Sequence, residues 1–272
     1  MIFDLDGVVY RGEEPVPGAP ELIGWLHDRG VIVRFATNNS MVARDGYVER
    51  LGGMGIRTTA EEMVTSTSAT VEHLRRHLPD VRSVLAVGAS GMRDELLDAG
   101  LDVTMAADAA AASVGGPLER TFDAVIVGLD PELDYGRLAA AMSAVAGGAS
   151  LIATNADARY PTPSGFLPGA GSIVAAVAVA TGVTPLVIGK PEPAMFHAIL
   201  EASGVAGAEA LVIGDNPDAD VVAARRAGCA SVLVLTGVAD ADAAAGLSGE
   251  RAPDAVVARP GEIRSLLEAR VS

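Results

Sequence analysis

Short runs of β-branched and aliphatic residues alternate with segments of helical periodicity along nearly the whole chain. This alternation limits the fold more than any other feature. The predicted strands are residues 31–35, 84–87, 124–127, 150–153, 185–188, 210–213 and 231–235. Helical patterns such as residues 20–29 and 194–203 lie between them. Strands that alternate with helices predict an α/β fold with a doubly wound parallel sheet and helices on both faces.

The charge and composition of the chain exclude several classes of binding partner. The formal charge is −15 and the pI is near 4.6. No basic stripe is present, so we expect no nucleic-acid partner and no anionic membrane partner, since both need clustered cations. Cys229 is the only cysteine, which excludes an intrachain disulfide. There is no charged leader and no apolar run of the about 20 residues that span a bilayer. We therefore expect a soluble, cytoplasmic protein.

Polar residues follow several of the predicted strands. They are Asp4, Asp6, Thr37, Asn38, Asn39, Lys190 and Asp215. Parallel α/β sheets bind their ligands beyond the carboxyl ends of the strands. This edge of the sheet is therefore where we expect the functional site.

Asp4 and Asp6 are two positions apart at the tip of a strand, so they lie on the same face of a pleated backbone. If the chain turns at Gly7, both can reach one metal, Asp4 through its side chain and Asp6 through its side chain or carbonyl. Mg²⁺ prefers oxygen ligands of this kind. A solvated strand end with a turn explains the tetrapeptide alone equally well. Only Met1, Ile2 and Phe3 precede Asp4, so we expect a short first strand or a true start farther upstream.

Three other segments offer phosphate or metal contacts. Thr37 can hydrogen-bond a phosphate oxygen, and the main-chain amides after it can form an anion-binding nest, although an ordinary helix cap explains them too. Lys190 can neutralise phosphate charge, although most lysines are simply solvated. Asp215 follows a strand and a glycine, and Asp220 is a little over one helical turn later, where it could hold a metal-bound water.

The order of these segments is more specific than any one of them. Asp-x-Asp-Gly, then Thr-Asn-Asn-Ser at 37–40, then Lys-Pro-Glu-Pro at 190–193, then Gly-Asp at 214–215 and Asp220, resembles the haloacid dehalogenase superfamily over nearly the entire chain. The segments Gly-Val-Val-Tyr-Arg-Gly at 7–12, Thr-Asn-Ala-Asp at 154–157 and Pro-Gly-Ala-Gly-Ser at 168–172 resemble its class IIA. That class includes NagD-type, 4-nitrophenyl phosphate, glycerol phosphate, phosphoglycolate and pyridoxal phosphate phosphatases.

The resemblance implies a magnesium-dependent phosphatase. Asp4 would be the nucleophile that forms an aspartyl phosphate, and Asp6 the general acid and base. Asp4, Asp6 and Asp215 would hold Mg²⁺, with Asp220 in support. The phosphoryl group would be bound by Thr37, Asn38, Asn39 and Lys190.

Spacing predicts where an inserted domain lies. The stretch from Asp4 to Thr37 is long enough for only one helix. The stretch from Thr37 to Lys190 is far too long for a single crossover between two strands. We expect a Rossmann-like core formed by residues 1–79 and 185–272. Residues 80–184 would form an inserted α/β domain, which by resemblance is a C2-type cap that closes over the site and chooses the leaving group.

Within this cap, Asn155, Asp157 and Tyr160 precede a loop rich in Pro and Gly at residues 160–171, and Ser172 is a candidate N-cap for a helix over 173–180. By resemblance Tyr160 is expected to contact substrate, because in some relatives a histidine in its place does so. The tyrosine puts a shared substrate in doubt. Asn155 and Asp157 either serve the site or pin a turn, and the turn is the slightly better explanation.

The sequence leaves two other functions open. A phosphotransferase or mutase would use the same nucleophile, but such enzymes commonly carry a small cap between the first two motifs, which is missing here. A non-catalytic phosphate-binding regulator would lack a chemical residue, whereas every required position is filled. The expected partner is a small-molecule phosphate ester whose identity stays open. So does the oligomeric state, although caps of this type often mediate homodimers.

Overall fold

The protein is represented by a computed structural model that describes residues 1–113, 118, 120–162 and 165–271. In these ranges the strands are β1 Ile2–Phe3, β2 Tyr10–Arg11, β3 Glu14–Pro15, β4 Arg34–Thr37, β5 Met63–Thr65, β6 Ser83–Val87, β7 Asp102–Met105, β8 Ala124–Val127, β9 Ser150–Ala153, β10 Arg159–Thr162, β11 Gly165–Pro168, β12 Leu186–Val187, β13 Leu211–Gly214, β14 Ala230–Val234 and β15 Ala255–Val257. The α-helices are α1 Ala19–His27, α2 Arg44–Gly53, α3 Ser66–His77, α4 Ser90–Asp98, α5 Ala106–Ser113, α6 Tyr135–Ala146, α7 Ala170–Thr181, α8 Ala194–Ser203, α9 Val222–Arg226, α10 Ala241–Ala245 and α11 Ile263–Val271. Each of these helices is too short or too polar to traverse a bilayer.

The chain divides into two compact units. The first unit comprises Met1–Thr37, Arg44–Val64 and Lys190–Ser272, and the inserted unit comprises Asn38–Ala43 and Thr65–Gly189. The chain therefore leaves the first unit after Thr37, returns to it at Arg44, leaves it again after Val64 and returns finally at Lys190.

The first unit is built on a sheet in the order β15-β14-β13-β1-β4-β5, whose described ladders are parallel. The two-residue strand β1 lies in the middle of this sheet, between β13 and β4. Phe3 and Phe35 belong to the buried apolar cluster around it, together with residues of α1 and α2. Continuous apolar runs are expected for strands that are covered on both faces. The predicted doubly wound α/β core is confirmed.

The inserted unit has its own parallel sheet, in the order β12-β9-β8-β6-β7. Apolar side chains of α5, α6 and α7 form its core with β8 and β9. An antiparallel hairpin, β10–β11, packs Tyr160 against this core. The fold is therefore a Rossmann-like core with an inserted α/β domain.

The bounds of the inserted unit differ from the predicted residues 80–184. Helix α3, which we placed in the core, belongs to the inserted unit. Its N-cap Thr65 donates a hydrogen bond to the buried Glu95 of α4 at 2.5 Å, and Ser66 Oγ donates to the carbonyl of Asn38 at 2.8 Å. These buried polar contacts were not visible in the apolar periodicity used to set the boundary.

The predicted irregular loop at 160–171 was wrong, as was Ser172 as an N-cap. Strands β10 and β11 occupy most of this segment, and residues 163 and 164 lie outside the described residues. Helix α7 begins at Ala170 after Gly169, while Ser172 Oγ donates to the carbonyl of Ala158 at 2.9 Å. The prolines suggested a loop, but the outer positions of a two-stranded hairpin tolerate proline because they need no ladder donor.

Candidate active site

Strand register brings Asp4, Thr37 and Asp215 to one edge of the first unit's sheet. Phe3 is paired with Ile213 of β13 on one side and with Phe35 of β4 on the other. Parallel strands in register end together, so the residues that follow them emerge at the same level. The main-chain N–H of Asp4 continues the ladder by donating to the carbonyl of Ile213 at 2.9 Å.

Lys190 is the only lysine in the sequence. It is 3% exposed. Its Nζ donates to Asp4 Oδ1 at 2.5 Å, to Asp220 Oδ1 at 2.7 Å and to the carbonyl of Ala36 at 3.2 Å. Burial disfavours the ammonium, but the two carboxylates outweigh burial and raise the pKa of Lys190. Lys190 is therefore a buried cation that is held beside Asp4.

Asp220 reaches the site through a π-helical turn over Pro217–Val221. Its Oδ2 accepts hydrogen bonds from the main-chain N–H groups of Asp215 and Asn216 at 3.2 and 3.1 Å, while its Oδ1 accepts from Lys190. One carboxylate thus fixes both the strand end that carries Asp215 and the ammonium group of Lys190.

Asp4, Asp215 and Asp220 form a compact carboxylate cluster, with one oxygen of each lying within 4.8 Å of those of the others. Three carboxylates against the single ammonium of Lys190 leave a formal excess of two negative charges in a buried place. Burial, and next the charge of Asp220, raise the pKa of Asp215 to about 7. Burial and the neighbouring carboxylates likewise raise the pKa of Asp4, against the opposing effect of Lys190. An oxygen-rich site with this excess charge fits a hard divalent cation.

Asp6 does not join the carboxylate cluster through its side chain. The residue is exposed, and Tyr10 Oη lies 3.5 Å from its Oδ2 as a hydrogen-bond donor. Desolvation raises the pKa of Asp6, and the Arg50 guanidinium opposes this. The turn predicted at Gly7 is present, since Gly7 has a φ of 78° and its N–H donates to the carbonyl of Tyr10 at 2.8 Å. Asp6 is therefore an exposed residue whose side chain is not part of the carboxylate cluster.

The loop after β14 supports the site, and sequence reasoning missed it. Val238 N–H donates to Asp215 Oδ2 at 2.6 Å, and Thr236 Oγ1 donates to the carbonyl of Gly7 at 2.5 Å. A Cβ at position 237 would overlap Asp215 Oδ2, so only glycine allows this close approach. The Thr-Gly pair directly after an apolar strand was the available signal.

The remaining predicted residues lie in different parts of the structure. Thr37 is buried at the end of β4 in the first unit. Asn38 and Asn39 begin the inserted unit, where Asn38 Nδ2 donates to Asp157 Oδ2 at 2.9 Å and Asn39 Oδ1 accepts from the N–H of Met41 at 2.8 Å. Tyr160 is half-buried against the core of the inserted unit. Its contact with substrate stays a prediction.

Comparisons with known proteins identify the family of the chain. The family model described as haloacid dehalogenase-like hydrolase matches residues 1–102, and a second, HAD-hydrolase-like model matches residues 187–262. An acid sugar phosphatase of Staphylococcus aureus strain MRSA252 is 36% identical over 237 residues, which cover 87% of this chain and 86% of that protein.

Two solved structures cover nearly all of this chain. A hypothetical protein of Pyrococcus horikoshii OT3 is 37% identical with a TM-score of 0.87, and the match covers 98% of both chains. A glycerol phosphate phosphatase of Mycobacterium tuberculosis, crystallised in complex with magnesium, is 34% identical with a TM-score of 0.84, and the match covers 97% of this chain and 76% of that one. The chain belongs to the haloacid dehalogenase-like hydrolases, in class IIA.

Proposed function

We propose that this protein is a magnesium-dependent phosphatase that hydrolyses a small phosphomonoester through a phosphorylated Asp4. The observation that carries the proposal is the pairing of Asp4 with the buried Lys190, beside the carboxylates of Asp215 and Asp220. A carboxylate nucleophile next to a fixed cation is suited to attack on a phosphoryl group, whose oxygens the cation can neutralise as charge develops. Family membership and the names of the relatives support a phosphoric monoester hydrolase.

The chemistry divides into two steps. In the first, a carboxylate oxygen of Asp4 forms a bond to phosphorus, the bond from phosphorus to the ester oxygen breaks, and Asp6 donates its proton to the departing alcohol. In the second, Asp6 takes a proton from water as the water oxygen bonds to phosphorus, and the bond from phosphorus to Asp4 breaks. The raised pKa of Asp6 and its exposure suit a group that is protonated first and then faces water.

The residues present fit Mg²⁺ by donor type and by charge. Asp4 and Asp215 would hold it, with Asp6 contributing a carboxylate or carbonyl oxygen. When bound, Mg²⁺ would neutralise phosphate charge and orient the ester. Asp220 has its carboxylate already engaged by Lys190 and by two main-chain N–H groups, so we assign it to holding these partners in place. Thr37, Asn38, Asn39 and Lys190 would surround the phosphoryl oxygens.

Sugar phosphates and glycerol phosphate are the proposed substrate class, since relatives at 36% and 34% identity carry those names. We propose that the inserted unit serves as the cap that selects among them. Tyr160 as a substrate contact, a homodimer and a cytoplasmic location stay predictions. Transfer of the phosphoryl group to a second alcohol is the alternative outcome of the same chemistry.

A panel of phosphomonoesters assayed for free phosphate, with and without Mg²⁺ and without an added acceptor, tests the proposal. We expect metal-dependent phosphate release that Asp4→Asn abolishes and that the control Asp134→Asn, an exposed helix cap of the inserted unit, retains. Release only when an acceptor alcohol is present would identify a phosphotransferase. Wild-type turnover by Asp4→Asn would refute the mechanism.

A further inference from the structure

Asp157 holds two amide side chains with one oxygen atom. Its Oδ2 accepts a hydrogen bond from Asn155 Nδ2 at 2.7 Å and another from Asn38 Nδ2 at 2.9 Å, although Asn38 is 119 positions away in the sequence. An ionised carboxylate can only accept hydrogen bonds, so it fixes which end of each amide faces it. Bonds to a charged acceptor are also roughly twice as strong as neutral ones.

The main-chain carbonyl and Oδ1 of Asn38 also have close neighbours. Its main-chain carbonyl accepts from Ser66 Oγ at 2.8 Å. Its Oδ1 faces Gly189, where an added Cβ would lie only 2.6 Å from it. The side chain and the carbonyl of Asn38 are therefore both in contact with other parts of the protein, directly after Thr37 in the chain.

The segment 154–157, which contains Asn155 and Asp157, also contacts Gly189, the residue before Lys190. Gly189 N–H donates to the carbonyl of Thr154 at 2.8 Å, and an added Cβ at Gly189 would approach both that carbonyl and Asn155. Residues 154–157 thus hold Asn38 and Gly189, which are the first and last residues of the inserted unit. The next residues along the chain are Thr37 and Lys190, two of the proposed phosphate ligands.

We propose that Asp157 is a positioning residue that acts through Asn38 and sets the main chain of the phosphate-binding loop after Thr37. In this role it would act without contacting substrate or metal. This inference rests on the proposed function, because it assigns Asn38 a main-chain contact with the phosphoryl group in place of a side-chain contact.

The test is a double-mutant cycle with Asp157→Ala, Asn38→Ala and the double variant, together with Asp157→Asn. We expect Asp157→Ala to lower kcat/KM by about 10- to 100-fold, the range for a displaced catalytic group, and to the same extent for 4-nitrophenyl phosphate and glycerol phosphate. In the Asn38→Ala background it should cost nothing further. Asp157→Asn keeps an oxygen acceptor in the same place and should restore most of the loss.

Orthophosphate affinity, measured by calorimetry in the presence of Mg²⁺, gives a readout that does not need turnover, and it should fall in Asp157→Ala and recover in Asp157→Asn. Asp134→Ala is the matched control, since Asp134 is an exposed carboxylate of the inserted unit that caps α6 by accepting from Arg137 N–H. Equal losses in the control, additive losses in the cycle, or unchanged orthophosphate binding in Asp157→Ala would overturn the inference. A wild-type protein that binds orthophosphate but releases none from any ester would refute the proposed function alone.

Discussion

Replacing Lys190 by methionine removes the ammonium group from the carboxylate cluster and leaves a side chain of similar length. Asp4 and Asp220 lose their shared cation, and Asp215 lies within the same cluster. Three carboxylates, of which those of Asp215 and Asp220 are buried, would then face one another without a cation among them. We expect a large loss of stability in the metal-free protein, the size of which depends on pH.

Two routes set the size of that loss. If the charges stay, loss of one partner from a buried ion pair costs about 3–5 kcal/mol. If instead one carboxylate takes up a proton, the net charge of the cluster is restored. Starting from an ordinary pKa of 3.8, that proton costs about 5 kcal/mol at about pH 7.5 and about 2 kcal/mol at about pH 5.5. The protein adopts whichever of the two states costs less free energy. We therefore expect the free energy of unfolding to fall by about 3–5 kcal/mol at the higher pH and by at most about 2 kcal/mol at the lower pH.

Urea unfolding followed by the fluorescence of Trp25 measures this loss. Trp25 is the only tryptophan and packs against the core of the first unit, so it reports on the unit that holds Lys190. Arg226→Met is the matched control, because it removes half-exposed ion pairs to Glu192 and Glu250 in the same unit, and such pairs contribute at most about 1 kcal/mol. A loss below about 1 kcal/mol at both pH values would refute the account of a cation embedded among carboxylates.

Three further results are expected from the same site. Gly237→Ala places a Cβ against Asp215 Oδ2, so Mg²⁺ should raise its melting temperature much less than that of the wild type, and an undiminished rise would contradict the assigned role of the loop. The pKa of Asp215 is raised from 3.8 to about 7 in the folded state, so the free energy of unfolding of the metal-free protein should fall as pH rises from about 4 to about 7, by up to about 1.4 kcal/mol per unit, and level off above. Asp215→Asn should flatten this slope in urea titrations, and an equal slope in the variant would exclude Asp215 as its source. Asp6→Asn should lower kcat by about 10²–10⁴-fold in steady-state assays. The loss in kcat/KM, which reports the first step, should be smaller for 4-nitrophenyl phosphate, whose leaving group needs less protonation, than for glycerol phosphate, and equal losses in kcat/KM would exclude Asp6 as the proton donor.

Strands that form an uninterrupted apolar run were predictable from the sequence. The predicted strands at 124–127 and 150–153 coincide with β8 and β9, because a strand covered on both faces appears as an uninterrupted apolar run. The hairpin β2–β3 has only one buried residue, Tyr10, and its apolar pattern is too short to detect. The Arg50 guanidinium lies 4.0 Å from the centroid of the Tyr10 ring. Because Arg50 belongs to α2, 40 positions later in the chain, no local pattern predicts this contact.

The candidate site was predictable in its parts but not in its full connectivity. The order of polar strand ends pointed to Asp4, Lys190 and Asp215, which the structure brings together. The place of Asp220 depends on a π-helical turn, which adds a residue to the turn and directs its carboxylate back to the N–H of Asp215. Spacing counted on an α-helix does not predict that contact. The role of Asp157 depends on a contact across 119 positions, which no local pattern encodes.

The central claim is that phosphate passes through a covalent bond to Asp4, and acid quenching of the enzyme during turnover tests it most directly. Protein mixed with Mg²⁺ and excess 4-nitrophenyl phosphate is quenched within its first turnover, digested and analysed by mass spectrometry. We predict one added phosphoryl group on the peptide that contains Asp4, lost on treatment with hydroxylamine and missing in Asp4→Asn. Steady release of phosphate with an unmodified Asp4 peptide, or a phosphoryl group on another residue, would contradict the account.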